Sequence, residues 1–106
     1  MFMVFIEALP FTRYLQDYLN DEEYRELQSF LIERPEAGDL IQGTGGLRKL
    51  RWSLDNKGKR GGIRVIYYWQ ISEDHIYLFT LYAKNEMPDL SSDEKKTLKK
   101  MLEDWQ

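Results

Sequence analysis

The chain has 106 residues, of which 42% are hydrophobic and 14% aromatic, at a net charge of -3; this suffices for one compact core, and a single domain over residues 1–106 is expected. Zero cysteines exclude a disulfide scaffold, a cysteine-ligated zinc site and a thiol nucleophile, and fit a reducing compartment. The apolar runs are no longer than a strand, which argues against a membrane span, and Glu7 and Pro10 interrupt the N-terminus too early for a signal peptide, so a cytoplasmic protein is expected.

The chain opens with a short apolar run at residues 2–6, consistent with a buried strand, and Pro10 closes the turn after it. The period then changes. Phe11, Tyr14, Leu15, Tyr18 and Leu19 recur at helical spacing, and Asn20 with Glu23 reads as a capping box for a second helix that turns Tyr24, Leu27, Phe30 and Leu31 inward. Pro35 ends that helix. Residues 37–46, AGDLIQGTGG, read as a loop.

Alternation follows. Leu50 and Trp52 share one strand face while Lys49 and Arg51 share the other. After the turn LDNKGKRGG, Ile63, Val65, Tyr67 and Trp69 form an apolar face, leaving Arg64, Ile66 and Tyr68 on the opposite one. Residues 76–83 are apolar on both faces, as in a central strand. Ser91 and Glu94 cap a last helix that lines one face with Leu98, Met101, Leu102 and Trp105. The order β-α-α-β-β-β-α, with three consecutive strands joined by short turns, predicts an α+β fold: a small antiparallel or mixed sheet with the helices packed on one face.

Charge is unevenly distributed along this order. Residues 1–42 carry a net -6, residues 43–66 a net +6, and residues 67–106 a net -3. A basic patch on an acidic body suggests a local polyanion site, whereas a protein that coats nucleic acid would be basic throughout. Other site chemistries are poorly served. The GTGG segment lacks the Lys-Ser/Thr ending of a phosphate loop and leads into a strand, so an entry turn is expected. His75 is the only histidine and falls in a predicted hairpin turn, leaving no histidine pair for acid/base work or metal binding. The carboxylates are scattered over helices, as on solvated faces.

What remains is the basic set Lys49, Arg51, Lys57, Lys59, Arg60, Arg64 and Lys84, interleaved with Tyr68 and Tyr82. Edge protection against strand-to-strand aggregation accounts for Lys57 and Lys59. It does not account for Arg64, a central-strand arginine beside tyrosines. Tyrosines among arginines suit single-stranded RNA, whose bases stack on aromatic rings while cations hold the phosphates.

The residues IQGTGGLRKLRWSLDNKGKRGGIRVIYYW at 41–69, together with YAKNE at 82–86, resemble the RelE/ParE toxin superfamily, and within it the HigB-like branch. The resemblance extends over nearly the whole chain. It implies a microbial-RNase-like domain that is the toxin of a type II toxin-antitoxin system, an mRNA interferase cutting mRNA in the ribosomal A site by 2′-hydroxyl attack. It implies no cofactor and no metal. Its partners would be the ribosome, mRNA and a HigA-like antitoxin that binds through an acidic or amphipathic segment.

By the same resemblance Arg64, Lys84, Tyr82 and Lys59 would be catalytic. Arg64 would clamp the phosphate, Lys59 or Lys84 would serve as base, and Tyr82 would stack on a base or donate a proton. Lys49, Arg51, Lys57, Arg60 and Tyr68 would bind RNA or the ribosome. The chain departs from relatives that use a histidine or a C-terminal tyrosine, because His75 lies elsewhere and the sequence ends in Trp105-Gln106. A ParE-type inhibitor of DNA gyrase, non-enzymatic on the same fold, is the alternative.

Overall fold

The computed structural model describes residues 2–53, 62–86 and 89–105. Strand β1 (Val4–Glu7) is followed by helix α1 (Leu9–Tyr18) and helix α2 (Asp21–Glu33). Strands β2 (Asp39–Leu40), β3 (Arg48–Trp52), β4 (Ile63–Gln70) and β5 (His75–Ala83) come next, and helix α3 (Ser92–Trp105) ends the order.

The helix boundaries follow local chemistry. Pro10 does not close a turn: it lies in the first turn of α1, where its missing N–H has no intrahelical partner to lose. The Asn20–Glu23 capping box forms in both directions, at 2.7 and 2.8 Å, and three acidic residues in the first turn of α2 complement its dipole. Ser91 and Glu94 close the equivalent box ahead of α3. The GTGG segment is a turn, as expected: Thr44 is fully buried, its hydroxyl donates to the Ile41 carbonyl and accepts from the Leu47 N–H, and Gly43, Gly45 and Gly46 have positive φ. Within the predicted loop, Asp39–Leu40 adds a two-residue edge strand paired with β3.

The five strands form one mixed sheet in the order β1-β5-β4-β3-β2. The run β3-β4-β5 is antiparallel, as predicted, while β1 lies parallel to the first half of β5. The β4–β5 register breaks once: Ile66 faces Thr80 and Tyr67 faces Leu78, which leaves Phe79 as the extra residue of a β-bulge. The bulge reverses the alternation of β5. Ile76 and Leu78 point into the same core as Leu81, and Tyr82 is carried onto the other face, that of Arg64 and Ile66.

The two faces bury separate clusters. On one, Phe11 of α1 with Leu27 and Leu31 of α2 pack against Leu50, Ile63, Val65 and Tyr67. Tyr67 is fully buried; its hydroxyl accepts from the Gly38 N–H at 2.9 Å and donates to the Pro35 carbonyl at 2.7 Å. Gly38 permits this approach, since a Cβ there would lie 2.8 Å from the Tyr67 ring. On the opposite face, Leu98 and Leu102 of α3 cover Leu47, Ile66 and Phe79. Trp105 closes that cluster with ring centroids 4.8 Å from Tyr77 and 5.0 Å from Phe79.

The α+β class is therefore as expected, and so is the element order apart from the added edge strand β2, but the helices do not all pack on one face. The apolar stripe of α3 needs a surface to bury against, and Ile66 and Phe79 supply one on the face opposite α1 and α2.

Candidate anion-binding end of the sheet

Helix α3 covers only part of its face. At the end of the sheet where β3 and β5 finish and β4 begins, one rung crosses three adjacent strands: Arg51 lies opposite Arg64, and Arg64 opposite Tyr82. Side chains directly opposite on neighbouring strands sit roughly 5 Å apart at Cβ, and like charges so placed repel unless a negative charge lies between them. Lys49 stands on the next rung of the same face, beside Ile66 and Thr80. Lys84 follows the last residue of β5, and its N–H donates to the Gly62 carbonyl at 3.3 Å, which ties it to the entry of β4. Gly62 has a φ of +58° and meets the Trp52 carbonyl too closely for a side chain, so backbone packing fixes this corner.

The sequence places Arg64 on an uncovered surface, and here the structure corrects it. Arg64 is only 5% exposed, with its Nη1 donating to the Ile63 carbonyl at 3.3 Å, because α3 and the loop before it roof the strand on which it sits. Arg51 is the exposed member of the rung. A guanidinium tolerates such a position because it stays charged and spreads its donors over a plane.

Tyr82 is also buried, at 5% exposure, and its hydroxyl has no hydrogen-bond partner among the described residues. Burial pushes its pKa up; Asp89 and Glu94 push the same way, and Arg64 opposes them. The phenol therefore holds its proton at neutral pH. Asp89, in the loop ahead of α3, reaches to 3.8 Å from the Lys49 ammonium. The sequence pattern marked Glu94 only as a capping residue and Asp89 not at all, since only the packing of α3 across β3–β5 brings their carboxylates near the rung.

Of the nine predicted site residues, the structure gathers Lys49, Arg51, Arg64, Tyr82 and Lys84 at this end. Tyr68 is separated from them: four residues along β4 from Arg64, roughly 13 Å away, it packs beside Tyr77 and the Gly46 turn. Lys57, Lys59 and Arg60 lie outside the described residues. His75 is not in a turn but begins β5, opposite Gln70 and so at the far end of the hairpin from Arg64. Among the described residues no three His, Asp or Glu side chains converge into a metal-binding group, and no helix is long and apolar enough to cross a membrane.

Residues 9–106 match the family described as "RelE toxin of RelE / RelB toxin-antitoxin system", and the chain belongs to that family. The fold is similar to that of E. coli RelE carrying two arginine-to-alanine changes, in the free state (TM-score 0.58, 13% identity, 83% of this chain and 90% of that one). It is similar too to a chain of the intact E. coli RelBE toxin-antitoxin complex (TM-score 0.56, 13% identity, 77% and 96%). A chain of the archaeal RelE-RelB complex from Pyrococcus horikoshii matches at 27% identity (TM-score 0.50, 79% and 97%).

Proposed function

We propose that this RelE-family toxin is a ribosome-dependent mRNA endonuclease of the HigB-like kind, acting as one domain in the cytoplasm and silenced by a cognate antitoxin. The observation that carries the reading is the Arg51–Arg64–Tyr82 rung: two arginines opposite each other, with a protonated phenol beside them. An RNA phosphate carries the charge that suits two neighbouring guanidinium groups, and their paired donors match its oxygens.

In the reaction the ribose 2′-hydroxyl attacks the adjacent phosphorus. The P–O5′ bond breaks, leaving a 2′,3′-cyclic phosphate on one fragment and a 5′-hydroxyl on the other. The 2′-hydroxyl gives up one proton and the departing 5′-oxygen takes one, so protons balance. Arg64 and Arg51 stabilise the charge that builds on the phosphoryl oxygens, the effect that commonly contributes most to such catalysis. Tyr82, holding its proton, suits the donor side, and Lys84 lies at the same corner as the candidate base. Dependence on the ribosome follows from how little this corner offers to align a free strand: alignment alone contributes several orders of magnitude to rate.

Purified ribosomes programmed with a defined mRNA test the reading by primer extension. Wild type should break the message inside translated codons. Arg64→Ala should lower the cleavage rate about 10²–10³-fold, the loss typical of removing one charge-stabilising donor, and Lys84→Ala should lower it too. Cleavage undiminished in both variants would remove the assignment. A gyrase-inhibiting toxin predicts no cleavage in this assay, and the family matched is RelE.

A further inference from the structure

A second feature lies on the far side of Tyr82. A groove of about 500 Å³ runs between α1 and α3, over the C-terminal half of β5. Its α1 wall is the stripe Pro10, Tyr14 and Tyr18, at successive four-residue steps. Helix α1 thus carries two apolar stripes: Phe11 and Leu15 turn into the core beneath α1 and α2, whereas Tyr14 remains 42% exposed along the groove. Leu98 and Met101 form the α3 wall, and Leu81 lies in the floor. Among the described residues, the charged side chains on the rim are Glu86, Asp93 and Glu94, all acidic, and no lysine or arginine lines it.

This combination selects its occupant. Three carboxylates repel a phosphate backbone, so the groove is not an extension of the RNA site. Its apolar walls match the apolar face of a helix or extended segment laid into a groove, and the acidic rim calls for lysine or arginine on the flanks of that segment. We propose that the groove is the docking surface for an amphipathic segment of the antitoxin that carries positive charge, a partner that rests on the toxin-antitoxin reading above. The polarity is the reverse of the acidic cover that the basic rung alone would suggest. Tyr82 lines the groove as well as ending the rung, and its buried hydroxyl is without a partner among the described residues. An occupant of the groove therefore touches a residue of the cleavage corner without covering the cations.

The absence of cysteine makes the test direct. Thr97→Cys places one thiol in the groove, and Ser29→Cys places one on the exposed side of α2. Each variant, labelled with a maleimide–diazirine photo-crosslinker and mixed with purified cognate antitoxin, is irradiated and its crosslinked peptide mapped by mass spectrometry. Crosslinking from position 97 and not from position 29, to an antitoxin peptide with several lysines or arginines among apolar residues, is the expected result. Calorimetry should show antitoxin affinity falling at least tenfold in Tyr14→Ala and in Asp93→Lys, with ribosome-dependent cleavage unchanged in both. Asp93 is exposed and decides alone should Tyr14→Ala not fold.

Wild-type affinity in Asp93→Lys, a crosslinked peptide that is acidic, or a crosslink to a second toxin copy would each overturn the proposal. Failure of the wild-type toxin to cleave mRNA would remove the nuclease reading while leaving the affinity result valid. Failure of the wild type to bind any antitoxin would remove the groove proposal and the antitoxin together.

Discussion

The two faces of the sheet solve different problems with the same strands. Under α1 and α2 the contact is largely apolar, and the fully buried Tyr67 hydroxyl is satisfied at both ends by backbone. Under α3 the contact is divided: Leu47, Ile66 and Phe79 are sealed by the helix, while Lys49, Arg51, Arg64 and Tyr82 crowd the end it leaves partly open. A face that only had to be stable would have little reason to set two arginines opposite each other. The difference teaches where to look for chemistry: in the contacts that cost stability.

That division can be broken from either side. The largest expected effect belongs to the apolar face, where Phe11→Ala removes a fully buried ring and should destabilise the fold by about 3–5 kcal/mol in urea unfolding, with cleavage by the remaining folded fraction unaltered. Tyr67→Phe is milder. It leaves the Gly38 N–H and the Pro35 carbonyl without their partner in the core, which should cost about 1–3 kcal/mol by the same measurement. An unchanged midpoint would mean that water replaces the hydroxyl.

On the functional face the expected signature is reversed. Arg51→Ala removes an exposed side chain opposite Arg64, so thermal unfolding should show stability close to wild type. Binding of a single-stranded oligonucleotide should weaken, with the slope of log affinity against log salt falling by roughly 0.7, the value for one lost contact to single-stranded phosphate. A loss of stability without a change in that slope would return Arg51 to a structural role.

The smallest effect is alkaline. Burial and the 2.6 Å hydrogen bond to Glu86 raise the Tyr18 pKa from 10.0 to about 12, so the folded chain keeps a proton that the unfolded chain has released in that range. The associated stability is complete below pH 10 and is lost as the pH rises towards 12. Tyr24, half-buried and bonded to Glu7, shifts in the same direction. Tyr18→Phe should flatten the fall in unfolding midpoint between pH 10 and 12, and an unaltered pH profile would contradict the linkage.

Much of this was legible in the residues themselves, because it depends on near neighbours. Both capping boxes, the helical stripes, the inward set Ile63, Val65, Tyr67 and Trp69, and the assignment of Lys49, Arg51 and Arg64 to the other face follow from periods of 3.6 and 2. The basic set could be found by charge alone. Three features could not. The parallel pairing of β1 with β5 joins segments some seventy residues apart, and no local pattern encodes that neighbour. The bulge at Phe79 depends on how β5 fits β4, and it alone moves Tyr82 from the core side to the side of Arg64.

The third is the placement of α3. Its apolar stripe says that one face is buried, but a stripe does not name the surface that buries it. Sequence by itself thus determined the elements, their inward residues and the positive charge on one side of the central strands, since each is set within a few residues. Tertiary structure decided that α3 roofs that side, that Arg64 is buried, and that Asp89, Tyr82 and the acidic groove meet at one corner. Those outcomes rest on contacts between distant segments, whose energies exist only once the chain has closed on itself.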